Sequence, residues 1–193
     1  MARSDAPLGV VILAGGEASR LPHKLELPAG GVPLVLRVYR GVRDVGPVWI
    51  CASGTFPEQI DCELDCPVIV DRWPRRGPLA ALYHALPYVR AKRVFVVAAD
   101  APYVDGGVAA ELASAWEPEI EAVVPLNRHD RLEPLCALYD RAALLNAARA
   151  VLSQGSGGVA AAVECLAAKR VQLSNERVFW SVNTPADWNL LKA

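Results

Sequence analysis

The chain lacks any block of lysine and arginine, any long apolar run and any regular cysteine pattern, and each absence excludes a class of function. Twenty basic residues stand against 21 acidic ones, for a net charge of -1. Nothing in that balance points to a polyanionic partner, and no basic cluster resembles a nucleic-acid footprint. The apolar stretch within MARSDAPLGVVILAGG is too short to span a membrane and follows an acidic residue. It reads as a first core strand rather than a signal peptide, and a cytoplasmic protein is expected. No internal repeat and no linker divides the sequence.

Five cysteines, Cys51, Cys62, Cys66, Cys136 and Cys165, form an odd set at irregular spacings, which argues against a disulfide framework. The DCELDC segment invites a metal reading, but no histidine follows at a suitable spacing and the chain has only three histidines. Cys51 and Cys136 lie in apolar segments and read as small buried hydrophobes.

What is present is a chain of 193 residues, enough for a sizeable core and expected to form one domain over 1–193. Apolar runs at 10–14, 47–52, 67–70 and in VFVVAAD read as strands, joined by EAVVPL, LCALYD and an edge strand VQLS. Leu34, Val35, Val38, Val42 and Val45 fall at helical spacing, with Pro33 acceptable near the start. Further helices are expected in GPLAALYHALPYV, at 108–116, in AALLNAARAVLSQG, in VAAAVECLAAK and in NTPADWNLL. The last has Thr184 as N-cap, Pro185 at the first position and Asp187 three residues after the cap. Strands that are almost continuously apolar need cover on both faces, so the expected fold is a Rossmann-like three-layer α/β domain with a mostly parallel central sheet.

The run GVVILAGGEASRLPHKLEL is the most informative stretch. A strand empties into Gly15 and Gly16, and the loop then carries Arg20 and Lys24. Adjacent glycines let backbone amides approach phosphate oxygens, Arg20 can fork onto them, and Lys24 supplies a mobile point charge. An ordinary strand-to-helix turn with two surface bases has the same outline. Asp100 closes an apolar strand, where its carboxylate suits Mg2+ at the ligand edge of a parallel sheet or caps a turn. In DRWPRRGPLAAL, Asp71 can accept from an N–H edge such as that of guanine, and Gly77 and Pro78 let the backbone approach a base or ribose. Arg72, Arg75 and Arg76 are solvated loop charges or phosphate contacts, the former being the simpler reading. Asn183, in FWSVNTP, is a turn residue or an amide bridging metal, phosphate and second substrate. His129, in the charged loop RHDR, has no warrant as a base; the loop is surface charge or a contact for an anionic acceptor.

With these segments in order, the chain resembles the molybdenum cofactor guanylyltransferase family, also called the molybdopterin guanine dinucleotide synthase family. The likeness runs from Gly9 to Leu191 through LAGGEASRL with Lys24, PAGGVPL, GPLAAL, VVAADAPYV, EPLCALYD and VNTPADW. It implies a Mg2+-dependent nucleotidyltransferase in which the terminal phosphate of molybdopterin attacks the α-phosphate of GTP and pyrophosphate leaves. Arg20, Lys24 and Asp100 would then be catalytic, with Asp100 the metal ligand. The nucleotide site would comprise Leu13, Ala14, Gly15, Gly16, Lys24, Asp71, Gly77, Pro78, Leu79, Asp100 and Asn183. Transient contact with molybdopterin-supplying proteins and apo-molybdoenzymes is also implied, for a monomer or weak homo-oligomer.

Two features depart from the family pattern. Leu21, Pro22 and His23 make a shorter connection to Lys24, and Ser181 stands where the family often has the first of two asparagines. Cytidylyltransferases and sugar-phosphate or phospholactate nucleotidyltransferases share the nucleotide half of the pattern. A catalytically silent nucleotide-binding regulator would retain it too.

Overall fold

Ala6–Ala14 forms the first strand, β1, and its Val10, Val11 and Ile12 are wholly buried. Consecutive buried residues on a strand point to opposite faces, so β1 requires an apolar layer on each side. The computed structural model, which describes residues 6–15, 21, 23–29, 31–73, 76–155 and 157–192, supplies both layers. Val10 and Ile12 join one core cluster, and Val11 and Leu13 join the other.

A short antiparallel ribbon, β2 (Pro28–Ala29) and β3 (Val32–Pro33), leads into α1 (Leu34–Val42). Then come β4 (Val48–Ala52), α2 (Glu58–Asp61), β5 (Val68–Val70), α3 (Pro78–Ala85) and a 3-10 turn at Leu86–Tyr88. The strand β6 (Ala91–Ala98) is followed by α4 (Gly106–Ser114), β7 (Ala122–Leu126), β8 (Cys136–Asp140) and α5 (Arg141–Ser153). The chain finishes with α6 (Val159–Val163), β9 (Ala168–Gln172), a 3-10 turn at Glu176–Phe179 and α7 (Pro185–Lys192).

The seven-stranded sheet has the order β5-β4-β1-β6-β8-β7-β9, and only β8 runs against the rest. Apolar residues of α1 and α4 cover one face, and those of α3, α5 and α6 cover the other. After β1 the chain passes through α1 to β4 on one side, whereas β6 lies on the other side of β1. The carboxyl ends of β1 and β6 therefore flank the place where the winding reverses, the location at which open α/β sheets take ligands. Among the described residues no helix is long and apolar enough to cross a membrane.

Two expectations need correction. The helix expected throughout VAAAVECLAAK ends at Val163, and β9 starts at Ala168, before the VQLS segment. Residues 168–172 pair in parallel with Ala122–Leu126, and satisfying the open edge of β7 outweighs the helix propensity of alanine. Asp100 does not end a strand: β6 stops at Ala98, and Asp100 follows in the turn. The expected start of α7 is present as a reciprocal cap. Thr184 N–H donates to Asp187 Oδ2 at 2.8 Å, and Asp187 N–H donates to Thr184 Oγ1 at 3.2 Å.

Candidate active site

The carboxyl ends of β1, β4 and β6 open into a cleft of about 1010 Å³. Lys24 is its electrostatic centre. Its Nζ donates to Asp100 Oδ2 at 2.6 Å, to the Val182 carbonyl at 2.9 Å and to Asn183 Oδ1 at 2.9 Å. An ammonium has three protons, so these acceptors use all of its donors. One side chain thereby ties together three segments remote in sequence. The tie is reinforced by the backbone, since Val182 N–H donates to the Asp100 carbonyl at 2.9 Å.

Local packing explains why Lys24 reaches that position. Leu34, Val182 and Trp188 form a small core against which Leu21, Leu25 and Leu27 pack, pinning the Lys24 loop to the C-terminal segment. The short connection noted in the sequence turns at His23, whose φ of 55° is in the left-handed region. Glu26 N–H closes that turn onto the His23 carbonyl at 2.9 Å. Asn183 is held from the other side, because its N–H donates to Asp187 Oδ2 at 3.0 Å. The Lys24 and Asp100 side chains are only 14% and 21% exposed, so their attraction is weakly screened.

Asp71 sits at another wall of the same cleft, 9% exposed, just beyond β5. Its Oδ1 accepts the Trp73 N–H at 2.9 Å, which fixes the carboxylate at the strand end. Burial and the Asp71 charge push the Cys51 thiol from 9.0 up to about 12. Gly77 adopts φ of 83° immediately before α3, a conformation that glycine takes without strain, and Pro78 occupies the first turn of the helix. Gly15 follows β1 directly, and a Cβ there would stand 3.7 Å from the Ser53 nitrogen.

The structure thus gathers Leu13, Ala14, Gly15, Lys24, Asp71, Gly77, Pro78, Asp100 and Asn183 around one cleft. Leu79 is not among the lining residues: its side chain is 1% exposed and packs in the core on the face of the sheet that α3 covers. Gly16, Arg20 and Arg75 lie outside the described residues. Arg72 and Arg76 are exposed.

Sequence reasoning missed Ser53, Gly54 and Thr55, which line the cleft just after β4. The signal was the one used for Gly15, a small polar turn directly after an apolar strand. Glu133 also lines the cleft. It precedes β8, and the start of a strand reaches this edge only because β8 is reversed, an orientation that the local sequence does not encode. Among the described residues no group of three or more His, Cys, Asp or Glu side chains is arranged to hold a metal ion.

Residues 10–172 match the family model of the MobA-like NTP transferase domain. A probable molybdenum cofactor guanylyltransferase of Clostridium perfringens (strain SM101 / Type A) is 31% identical over 132 residues, covering 67% of this chain and 64% of that relative. The chain therefore spans a little under two thirds of that relative's length. A protein of the same description from Synechococcus elongatus is 30% identical over 194 residues, covering 94% of this chain and 96% of the relative. Among solved structures, molybdopterin-guanine dinucleotide biosynthesis protein A from Archaeoglobus fulgidus superposes with a TM-score of 0.79 at 22% identity, covering 95% of this chain and 96% of its own. The 2-C-methyl-D-erythritol 4-phosphate cytidylyltransferase of Thermus thermophilus superposes at 0.70 with 17% identity, covering 94% and 96%. At these identities the structural likeness establishes the fold.

Proposed function

We propose guanylyl transfer for this chain, which belongs to the MobA-like NTP transferase family: GMP passes from GTP to the terminal phosphate of molybdopterin, giving molybdopterin guanine dinucleotide and pyrophosphate. The observation that carries this reading is the Lys24 node, which brings Asp100 and Asn183 together in the cleft that Gly15 and Asp71 also line.

In the proposed step an acceptor phosphate oxygen bonds to the α-phosphorus, the bond from that phosphorus to the α,β-bridging oxygen breaks, and pyrophosphate leaves with the electron pair. A phosphate nucleophile is already ionised near neutrality, so the protein's task is positioning and charge neutralisation rather than proton abstraction. The backbone at Gly15 faces the triphosphate and Lys24 neutralises it; the family resemblance gives parallel roles to Gly16 and Arg20, which lie outside the described residues. Asp71 accepts from the N1–H and 2-amino edge of guanine. Cytosine has no ring N–H beside its amino group, so a fixed carboxylate favours guanine and speaks against the cytidylyltransferase reading.

Asp100 fits a magnesium ion in the way such ions are usually held, by one or two carboxylates together with substrate phosphates. When bound, magnesium would neutralise charge on the phosphates. Lys24 would then be free to exchange its contact with Asp100 for phosphate oxygen while the Val182 carbonyl and Asn183 Oδ1 hold its ammonium in place. The lability of the product favours direct transfer, with transient contact to molybdopterin-supplying proteins and apo-molybdoenzymes in the cytoplasm.

The test is pyrophosphate release from GTP, CTP, ATP and UTP with magnesium, using molybdopterin, its molybdenum-loaded form and sugar phosphates as acceptors. Release confined to GTP with the pterin is expected. Release with another pair reassigns the substrates, and GTP binding without release from any pair identifies a regulator.

A further inference from the structure

Beside the cleft lies a second cavity of about 600 Å³, which shares Glu133 and Phe179 with it as common wall. We infer that this cavity is the acceptor chamber, taking the ring of a planar heteroaromatic phosphate ester against Arg177 and Trp180 while the phosphate passes Phe179 toward Lys24. The inference rests on the guanylyl-transfer reading for its direction of attack.

Flat surfaces are already assembled there. The Arg177 guanidinium carbon stands 4.0 Å from the centroid of the Tyr103 ring, and its Nη2 donates to the Tyr103 hydroxyl at 2.7 Å. Two contacts hold the guanidinium against Tyr103, so little order has to be imposed when a ring stacks on it. Trp180 lies 5.6 Å from Tyr103 at an interplanar angle of 46°, adding an indole surface to the same cavity.

Another part of the lining is organised by Asn127. Its Oδ1 accepts the N–H groups of His129 at 2.9 Å and Arg131 at 3.3 Å, shaping the charged loop, while its Nδ2 donates to Glu133 Oε1 at 2.7 Å. Glu133 is thereby fixed at the boundary of the two cavities, and its other oxygen suits an N–H donor on a heterocycle. The charged lining is balanced: Arg128 and Arg177 are matched by Glu133 and Glu176. A site for bare phosphate would carry an excess of cations. Balanced charge with aromatic surfaces instead suits a ligand that combines an N–H edge, a π face and an anionic arm.

Pterin phosphates and purine nucleotides share that chemistry, and binding separates them. Pterin fluorescence, and competition by GMP or inorganic phosphate, would be followed at saturating GTP without magnesium for the unaltered chain and for Arg177→Ala, Arg177→Lys and Trp180→Leu. Pterin should bind the unaltered chain and weaken at least tenfold in Arg177→Ala and Trp180→Leu, with GTP affinity within twofold and no competition from inorganic phosphate. Arg177→Lys preserves charge but not the plane, so it should also weaken pterin, and it keeps the test available if alanine at this position impairs folding. GMP binding that depends on Arg177, with no pterin binding, supports the chamber and overturns the pterin as acceptor. Pterin binding indifferent to all three substitutions, or GTP affinity falling in parallel, overturns the chamber. Retained pterin binding without pyrophosphate release from GTP leaves the chamber standing and sinks the transfer reaction.

Discussion

Lys24 is a point charge with three partners in three directions, and that geometry makes its replacement by arginine non-conservative. A planar guanidinium cannot aim donors at Asp100, Val182 and Asn183 as a tetrahedral ammonium does. Lys24→Arg should therefore lower kcat/KM for pyrophosphate release by roughly 10²- to 10³-fold, the usual scale for losing a preorganised charge contact. Activity within tenfold of the unaltered chain would show that charge alone suffices. At Asp71 the expected effect is on selectivity instead. Asp71→Asn keeps an oxygen for the Trp73 N–H but offers an amide donor to the guanine edge. The preference for GTP over ATP should fall by about 10- to 100-fold, on the scale of one mismatched polar contact. A preference that stays unchanged in competition assays would remove Asp71 from base reading. That Lys24, Asp71, Asp100 and Asn183 meet at one cleft was legible in the sequence, because each belongs to a distinctive local segment. The burial of the Leu79 side chain was not legible, because GPLAAL identifies a segment and not which of its side chains faces the cleft.

At the scale of elements, the N-terminus of α7 joins stability to the site. Asp187 Oδ2 accepts the N–H groups of Asn183 and Thr184 and the Thr184 hydroxyl, so the group that caps the helix also holds the backbone that aims Asn183 at Lys24. Thr184→Ala removes the hydroxyl cap and leaves the Asn183 contact in place, whereas Asp187→Ala removes both. Each should cost about 1 kcal/mol of stability, typical of a lost cap. Only Asp187→Ala should in addition lower kcat, by about tenfold for a displaced contact made in the transition state. Equal kcat in the two variants, measured beside urea midpoints, would reduce Asp187 to a capping residue. The cap was readable from Thr184, Pro185 and Asp187 alone, since helix starts are encoded within one turn. The end of α6 was not: 159–169 is alanine-rich, and its last residues become β9 only because β7 offers an unpaired edge. The inclusion of Glu133 was hidden for the same reason, as strand direction is settled between distant segments.

For the whole molecule, the two apolar layers and the sheet between them should open as one unit, and the cysteines are placed to report it. Cys51 and Cys136 are 1% and 4% exposed, one in each layer, while Cys62 and Cys165 are at the surface. Burial, with Asp71 beside one and Glu133 beside the other, pushes the Cys51 and Cys136 thiols from 9.0 up to about 12. Cys66, partly buried near Asp65 and Asp61, is pushed up to about 11. Thiolate is the reactive form, so a disulfide reagent at pH 8 should modify Cys62 and Cys165 rapidly and Cys66 slowly. Cys51 and Cys136 should react only as fast as the native sheet opens, with a common rate that rises together in urea. The same shifts carry a pH dependence. Below pH 9 these thiols are protonated in folded and unfolded chains alike, and their contribution to stability is fully present. As pH climbs from 9 toward 12 the unfolded chain releases protons that the folded one retains, so stability falls across that window. Cys51→Ala with Cys136→Ala should make the alkaline decline in the urea midpoint shallower, the remainder coming from Cys66 and the Tyr139 hydroxyl, both also raised by burial, even though the lost sulfur volume lowers stability at neutral pH. Independent labelling rates for the two buried thiols would mean that the faces of the sheet open separately, and an alkaline slope untouched by the double substitution would place its origin in other groups.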